Sequence, residues 1–190
     1  KNSLHEFIHE GVTSSGKTEV YLSITEWLLK KGKQVLVLVP EIGLTPQMIV
    51  RFEERIKDKV VAVHSQLNET QKQDAYLMAK SGEAKVILGT RSAIFTPIPK
   101  LGLVIVDEEH DGSFKQQSNF RYSARDLSFM RAKLANIPLI LCTATPSLET
   151  LKNVVDQKLT RLVLSSRPGG AILPEINLID MRSQASEALS

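Results

Sequence analysis

Gly11-Val12-Thr13-Ser14-Ser15-Gly16-Lys17-Thr18 fits the pattern G-x-x-x-x-G-K-[ST] without a mismatch. That spacing suits a nucleoside triphosphate. The glycines let a loop close around phosphates, and its backbone N–H groups point at them from a helix N-terminus. Lys17 would reach the β- and γ-phosphates, and the Thr18 hydroxyl would bind Mg²⁺. A second constellation, Asp107-Glu108-Glu109-His110, ends the apolar run Leu103-Val104-Ile105-Val106. An aspartate at that point can hold Mg²⁺ directly or through water, and Glu108 is placed to orient and deprotonate an attacking water. Glu109 is expected to point away, because successive residues of an extended chain face opposite sides. The competing expectations are a Gly/Ser turn with a chance lysine, and a solvated acidic loop.

These residues need a frame, and the chain supplies one. Short apolar runs (Val35–Val39, Val60–Val63, Val86–Leu88, Leu103–Val106 and Leu139–Leu141) read as strands covered on both faces. Phe7-Ile8-His9 reads as a strand before the phosphate loop, with a helix from Thr18 to Leu29 after it. Amphipathic segments over Glu19–Lys31, Pro46–Lys57, Glu69–Ser81 and Ser123–Asn136 alternate with the strands. Met48, Phe52 and Ile56 should share one buried face, as should Leu127, Met130 and Leu134. Tyr21 and Trp27 read as core. The alternation implies an α/β fold, a mainly parallel sheet with helices on both sides and its ligands at the carboxyl ends of the strands.

Other strand tips carry polar groups. Thr143-Ala144-Thr145-Pro146 could hydrogen-bond to Glu109, His110 or bound nucleotide, or could simply cap the helix from Ser147 to Val155. Gly89-Thr90-Arg91-Ser92 offers amides, two hydroxyls and a guanidinium, which suit a nucleic-acid backbone; it is equally a strand-to-helix turn. Thr45 and Gln47 stand in what is by itself a capped turn. Between Gly112 and Tyr122, three aromatics (Phe114, Phe120, Tyr122) join the cations Lys115 and Arg121, in a chain that is only 5% aromatic. They could stack on unpaired bases, or pin the loop to the domain. His5, His9 and His64 lack metal-ligand spacing.

Composition bounds the rest. The 190 residues are 42% hydrophobic and 24% charged, with a net charge of +3, which is the balance of one globular domain rather than a disordered or fibrous chain. A single cysteine, Cys142, excludes a disulfide framework and a cysteine zinc site within these residues. No apolar run approaches membrane-spanning length, so no membrane association and a cytoplasmic location are expected. Residues 1–165 are expected to form the domain. Residues 166–190, opening with Ser166-Arg167-Pro168-Gly169-Gly170, read as a linker, with Ile176–Ile179 as one further strand. Both ends look like cuts in a longer protein.

With these motifs in place, the chain resembles the first RecA-like motor lobe of the primosomal replication-restart helicases, within the second helicase superfamily. The phosphate loop alone is generic. The resemblance is carried by Pro40-Glu41-Ile42-Gly43-Leu44-Thr45-Pro46, Gly89-Thr90-Arg91-Ser92, Asp107-Glu108-Glu109-His110-Asp111, Arg121-Tyr122-Ser123-Ala124-Arg125-Asp126 and Thr143-Ala144-Thr145-Pro146. It implies a three-layer α/β/α RecA-like P-loop NTPase domain using ATP and Mg²⁺. It also implies 3′-to-5′ movement on single-stranded and forked DNA, with primosome and single-strand-binding proteins as partners. By the same resemblance Thr45, Thr90 and Arg91 touch the DNA backbone. The aromatic loop, together with Glu109, His110, Thr143 and Thr145, couples DNA binding to hydrolysis. Zinc belongs to a cysteine-rich module of the full-length family protein, outside this fragment. The second lobe would supply further arginines, so the fragment alone should be nearly inactive. Two positions depart from the family: Ser14 replaces a glycine, and Asn119-Phe120 replace Gly-Pro. The residues alone leave open an RNA-directed lobe, a P-loop ATPase of small molecules and a non-catalytic nucleotide-dependent module.

Overall fold

A computed structural model describes residues 6–11 and 15–164. Val12, Thr13 and Ser14 of the phosphate loop lie outside the described residues, as do the expected linker and the strand at Ile176–Ile179. Seven strands form one sheet: β1 (Glu6–Gly11), β2 (Gln34–Leu38), β3 (Val60–Val63), β4 (Val86–Gly89), β5 (Leu101–Val106), β8 (Leu139–Thr143) and β9 (Thr160–Leu164). Their order across the sheet is β3-β4-β2-β5-β8-β1-β9, and every pairing is parallel. Two short strands, β6 (Lys115–Gln116) and β7 (Tyr122–Ser123), make a separate antiparallel ribbon.

The period of two along the strands splits the core into two layers. Leu36, Leu38, Ile87, Val104, Val106, Leu139 and Leu141 face one side. Helices α3 (Glu69–Ser81) and α4 (Ala124–Ala135) cover that side through Ala75, Ala79, Ala124 and Ala132. Val35, Val37, Leu88, Leu103, Ile105 and Cys142 face the other. There α1 (Lys17–Lys30) and α2 (Pro46–Arg55) pack through Tyr21, Leu22, Leu28 and Phe52. The last helix is α5 (Leu148–Val155). Helix, sheet and helix make the three-layer α/β/α architecture expected of a RecA-like domain. Because all seven strands run the same way, Gly11, Val39, Thr90, Asp107 and Thr143 emerge on one edge.

The helix starts follow local chemistry. Thr45, Asn68, Ser123 and Ser147 each accept a hydrogen bond from a backbone amide three residues on, as N-caps do. The first helix differs: Gly16 occupies its N-cap in the left-handed region, at φ 89°, with no side-chain cap.

Three packing expectations need correction. Trp27 is 54% exposed, because the buried stripe of α1 runs through Lys17, Tyr21, Thr25 and Leu28 and leaves position 27 outside it. Met130 and Leu134 are exposed as well. Helix α4 meets the sheet through the small residues Ala124, Ser128 and Ala132, which permit close approach, while Leu127 is only partly buried. The edge strand β9 has no counterpart among the expected strands: Thr160, Arg161, Leu162 and Val163 are all exposed and lack the continuous apolar signature of a covered strand. Phe52 and Ile56 are buried as expected, with Met48 packed against them.

Candidate nucleotide and nucleic-acid site

The strand edge gathers the phosphate-loop residues and the acids. Ser15, Gly16, Lys17, Thr18, Arg51, Asp107 and Glu108 line one cavity of about 340 Å³. Lys17 is buried, and its Nζ donates to the Gly11 carbonyl at 2.7 Å. Gly11 is tightly enclosed: a Cβ there would stand 2.4 Å from Ser15 Oγ. Ser15 Oγ itself is buried without a hydrogen-bond partner, the only such side-chain atom among the described residues. An unmet hydroxyl beside an uncapped helix start is the donor set a phosphate would satisfy.

Asp107 sits just beyond β5, where its backbone amide donates to Leu38 O at 2.8 Å. Tyr21 donates its hydroxyl to Asp107 Oδ2 at 3.1 Å, and the Glu108 amide donates to Oδ1 at 3.1 Å. Burial, followed by the nearby Glu108 carboxylate, raises the Asp107 carboxyl above its ordinary pKa; the Tyr21 bond and Lys17 oppose that rise. Burial likewise raises the Tyr21 hydroxyl, while a hydrogen bond with Thr18 pulls it down. A chain Thr18–Tyr21–Asp107 therefore joins the two oxygens expected to hold magnesium. Among the described residues no three His, Cys, Asp or Glu side chains cluster as metal ligands. Magnesium usually takes one or two protein oxygens and completes its shell with phosphates and water.

Glu108 adopts φ 47°, left-handed backbone that a non-glycine residue enters only at a cost of about 1–3 kcal/mol. The turn it makes carries Glu109 away from the cavity. Glu109 is 2% exposed; its Oε1 accepts from the Ser147 amide at 2.8 Å, and its Oε2 from Thr150 Oγ1 at 3.0 Å and Arg125 Nη1 at 3.2 Å. The expected divergence of Glu108 and Glu109 is thus present, produced by a turn rather than by extended chain. The Glu109 carboxylate meets Ser147 and Thr150 instead of Thr143 or Thr145. His110 Nδ1 does meet Thr143 Oγ1, at 2.8 Å, and lies 3.6 Å from Glu108 Oε2. Thr145 donates its amide to Thr143 Oγ1 at 3.1 Å, and the cap of α5 is Ser147, not Thr145.

The expected nucleic-acid contacts divide. Phe114 is 1% exposed and belongs to the core, so it pins the loop and offers no face to a base. Thr90 is also buried. Thr45 is exposed, and its hydroxyl caps α2. Ser92, Lys115, Phe120 and Arg121 are exposed. Arg91 donates to Ser113 O at 3.2 Å, and Ser113 Oγ accepts from the Glu41 amide at 3.4 Å, joining three of these loops. Tyr122 meets Phe95 edge-on with centroids 5.0 Å apart, and tilts against Phe120 at 5.9 Å. Beside them Lys115, Arg121, Tyr122 and Asp126 line an open groove.

Sequence reasoning assigned no site role to Tyr21, Arg51, Phe95, Arg125 or Ser147. Tyr21 carried one available signal: four residues beyond Lys17, it shares that residue's face of α1. The partners of Glu109 carried none, since they lie 16, 38 and 41 residues away.

A parallel sheet between two helix layers, with Lys17 and the acidic turn at one edge, is the frame of a P-loop NTPase domain, and the chain belongs to the DEAD/DEAH box helicase family, which it matches over residues 2–154. It is similar to the replication restart protein PriA of Haemophilus influenzae, 49% identical over 175 residues, covering 92% of this chain and 24% of that protein. PriA of Synechocystis sp. is 48% identical over 188 residues, covering 96% of this chain and 23% of the relative. The chain therefore spans about a quarter of the length of these relatives. The structure of RecG bound to a three-way DNA junction shares the fold, with a TM-score of 0.63 at 18% identity over 97% of this chain and 24% of that one.

Proposed function

We propose that the chain is the ATP-binding motor lobe of a 3′-to-5′ DNA helicase acting in replication restart and primosome assembly. The observation that carries this reading is the convergence of Lys17, Thr18, Asp107 and Glu108 on one cavity. Similarity to proteins named for replication restart directs it to DNA at stalled forks.

In this reading Lys17 exchanges the Gly11 carbonyl for the β- and γ-phosphates, and the Ser15 hydroxyl gains the partner it lacks. Thr18 and Asp107 hold Mg²⁺, which when bound neutralises charge developing on the phosphate oxygens. Tyr21 keeps Asp107 ionised and oriented for that task. Glu108 orients the attacking water and accepts its proton, with His110 and Thr143 fixing the turn behind it. Phe120, Tyr122, Arg121 and Lys115 form the strand-contacting surface, with Arg91 and Ser92 beside it and Thr45 at the start of α2. The partners are single-stranded and forked DNA, with primosome and single-strand-binding proteins, in the cytoplasm. Residues 1–165 act as the lobe and 166–190 as its linker. The lobe alone turns over slowly, because stabilising arginines come from a second lobe.

The test is ATP turnover by the intact protein with single-stranded DNA, forked DNA, RNA or no nucleic acid. Lys17→Ala should abolish nucleotide binding. Glu108→Gln should keep binding while lowering turnover at least about 100-fold. Normal DNA-stimulated turnover by Glu108→Gln would overturn the assignment of the base. Stimulation by RNA alone would favour an RNA-directed lobe, and indifference to all nucleic acids a small-molecule ATPase.

A further inference from the structure

The nucleotide cavity has a second cation besides Lys17. Arg51, midway along α2, lines it together with Lys17, Thr18, Asp107 and Glu108. Its Nη2 donates to Oε1 of Glu19, which lies two residues beyond Lys17 on the first turn of α1. Both side chains of this pair are about half exposed, at 53% and 54%. Water and salt screen an ion pair so placed, and it holds its partners weakly.

The packing of α2 on α1 does not depend on that pair. Phe52, next to Arg51, is fully buried and stacks on Tyr21 with ring centroids 6.1 Å apart, and Ile56 is buried just beyond the helix end. One turn along α2 from Arg51, Arg55 Nε meets Glu26 Oε1 at 3.0 Å. Arg51 and Arg55 share a face of α2, and Glu19 and Glu26, two turns apart, share a face of α1. The same ion-pair chemistry therefore occurs twice across one pair of helices. Of the two arginines, only Arg51 lines the cavity.

Phosphate chemistry decides what that position is for. The oxygens of a nucleotide's phosphate chain carry more charge than one carboxylate and match the planar fork of a guanidinium in bidentate fashion. We propose that Arg51 is a nucleotide-contacting residue: its guanidinium leaves Glu19 for the phosphates of bound nucleotide, adding to Lys17 a cation from outside the phosphate loop. Glu19 is the competitor, lowering affinity by holding the guanidinium back. The proposal rests on the nucleotide reading of the cavity above and adds to it a ligand supplied by α2.

The experiment titrates the intact protein with a fluorescent, non-hydrolysable ATP analogue in the presence of Mg²⁺, with thermal unfolding followed in parallel. Arg51→Gln should weaken binding at least about fivefold, and the loss should shrink at high salt. Glu19→Gln should tighten binding about two- to threefold, since no carboxylate then competes for the guanidinium. The double variant Glu19→Gln/Arg51→Gln should stay as weak as Arg51→Gln. Arg55→Gln, which breaks the matching pair away from the cavity, should bind as the wild type does. Recovery of wild-type affinity in the double variant would overturn the proposal, by showing that Arg51 only neutralises Glu19. Equal weakening by Arg51→Gln and Arg55→Gln would overturn it too, by showing support of the helix pair alone. Should Arg51→Gln fail to fold, Glu19→Gln decides the matter, by tightening the complex or leaving it unchanged. Lys17→Ala tells the two readings apart. If it binds the analogue as the wild type does, the nucleotide reading of the cavity fails; if it loses binding while Arg51→Gln keeps it, only the role of Arg51 fails.

Discussion

Replacing Tyr21 by phenylalanine removes one oxygen and little else. The ring is fully buried and stacks on Phe52 at 6.1 Å, contacts a phenylalanine preserves. What disappears is the 3.1 Å bond to Asp107 and the contact with Thr18. A hydrogen bond to a charged group contributes about 1.5–3 kcal/mol, and because Asp107 borders an open cavity where water can substitute, about 1–2 kcal/mol is expected here. For a domain of this size that corresponds to a fall in Tm of about 2–8 °C. The pH dependence fixes the cause. Asp107 is raised by burial and by Glu108, so the stability its titration contributes is complete below its unfolded pKa and fades as pH rises through the folded one. Losing the phenol raises that pKa further. The deficit should therefore be largest at neutral pH, where the lost partner was a carboxylate, and smaller below the carboxylate range. Half-saturation of ATP turnover should need more Mg²⁺, with the acid limb of the pH profile displaced upward. Chemical denaturation at two pH values and a magnesium titration test this. Equal stability at both pH values with unchanged magnesium dependence would refute the Tyr21–Asp107 bond.

Three further outcomes follow from the packing. Phe52→Ala empties a fully buried site against Tyr21 and should cost about 3–5 kcal/mol in urea unfolding. Trp27, the single tryptophan of the sequence, is half exposed with Lys31 Nζ 3.5 Å from its ring centroid. Its fluorescence should be readily quenched by acrylamide, and Trp27→Ala should cost less than about 1 kcal/mol; shielded, blue-shifted emission would contradict the burial pattern. Gly11→Ala forces a methyl onto Ser15 Oγ and against Leu164 Cβ, 3.1 Å away. Displacing the phosphate loop in this way should weaken nucleotide binding by at least about tenfold in a fluorescent-nucleotide titration, with β1 retained.

Local chemistry explains what the sequence made legible. The phosphate loop and the acids after β5 are contiguous motifs, and β2, β5 and β8 are apolar runs covered on both faces, so their signals needed no tertiary information. Helix α4 misled because its contact surface is the stripe Ala124, Ser128, Ala132. Larger apolar residues beside that stripe, Met130 and Leu134, look like a core face and lie exposed. Trp27 misleads in the same way: a large ring on the first helix reads as core, yet it lies outside the buried stripe. Strand β9 pairs along one edge of the sheet and buries little, so no hydropathy pattern announces it. At the site, Asp107 and Glu108 could be read from their position after a strand. The environment of Glu109 could not, because Arg125, Ser147 and Thr150 come from two helices whose approach only the folded sheet defines.

Strands β2, β3, β4, β5 and β8 deliver polar loops to one edge, which leaves the opposite edge with plain helix-to-strand returns. Gly32 and Gly82 turn there with left-handed backbone and open space around them. The natural thiol, Cys142, is wholly interior. Among these residues, a cysteine introduced beside either return, at Lys31 or Ser81, would thus be the exposed thiol a maleimide dye meets. Such a reporter would ride on the lobe without intruding on its working surface, giving spectroscopy a handle on lobe movement during turnover.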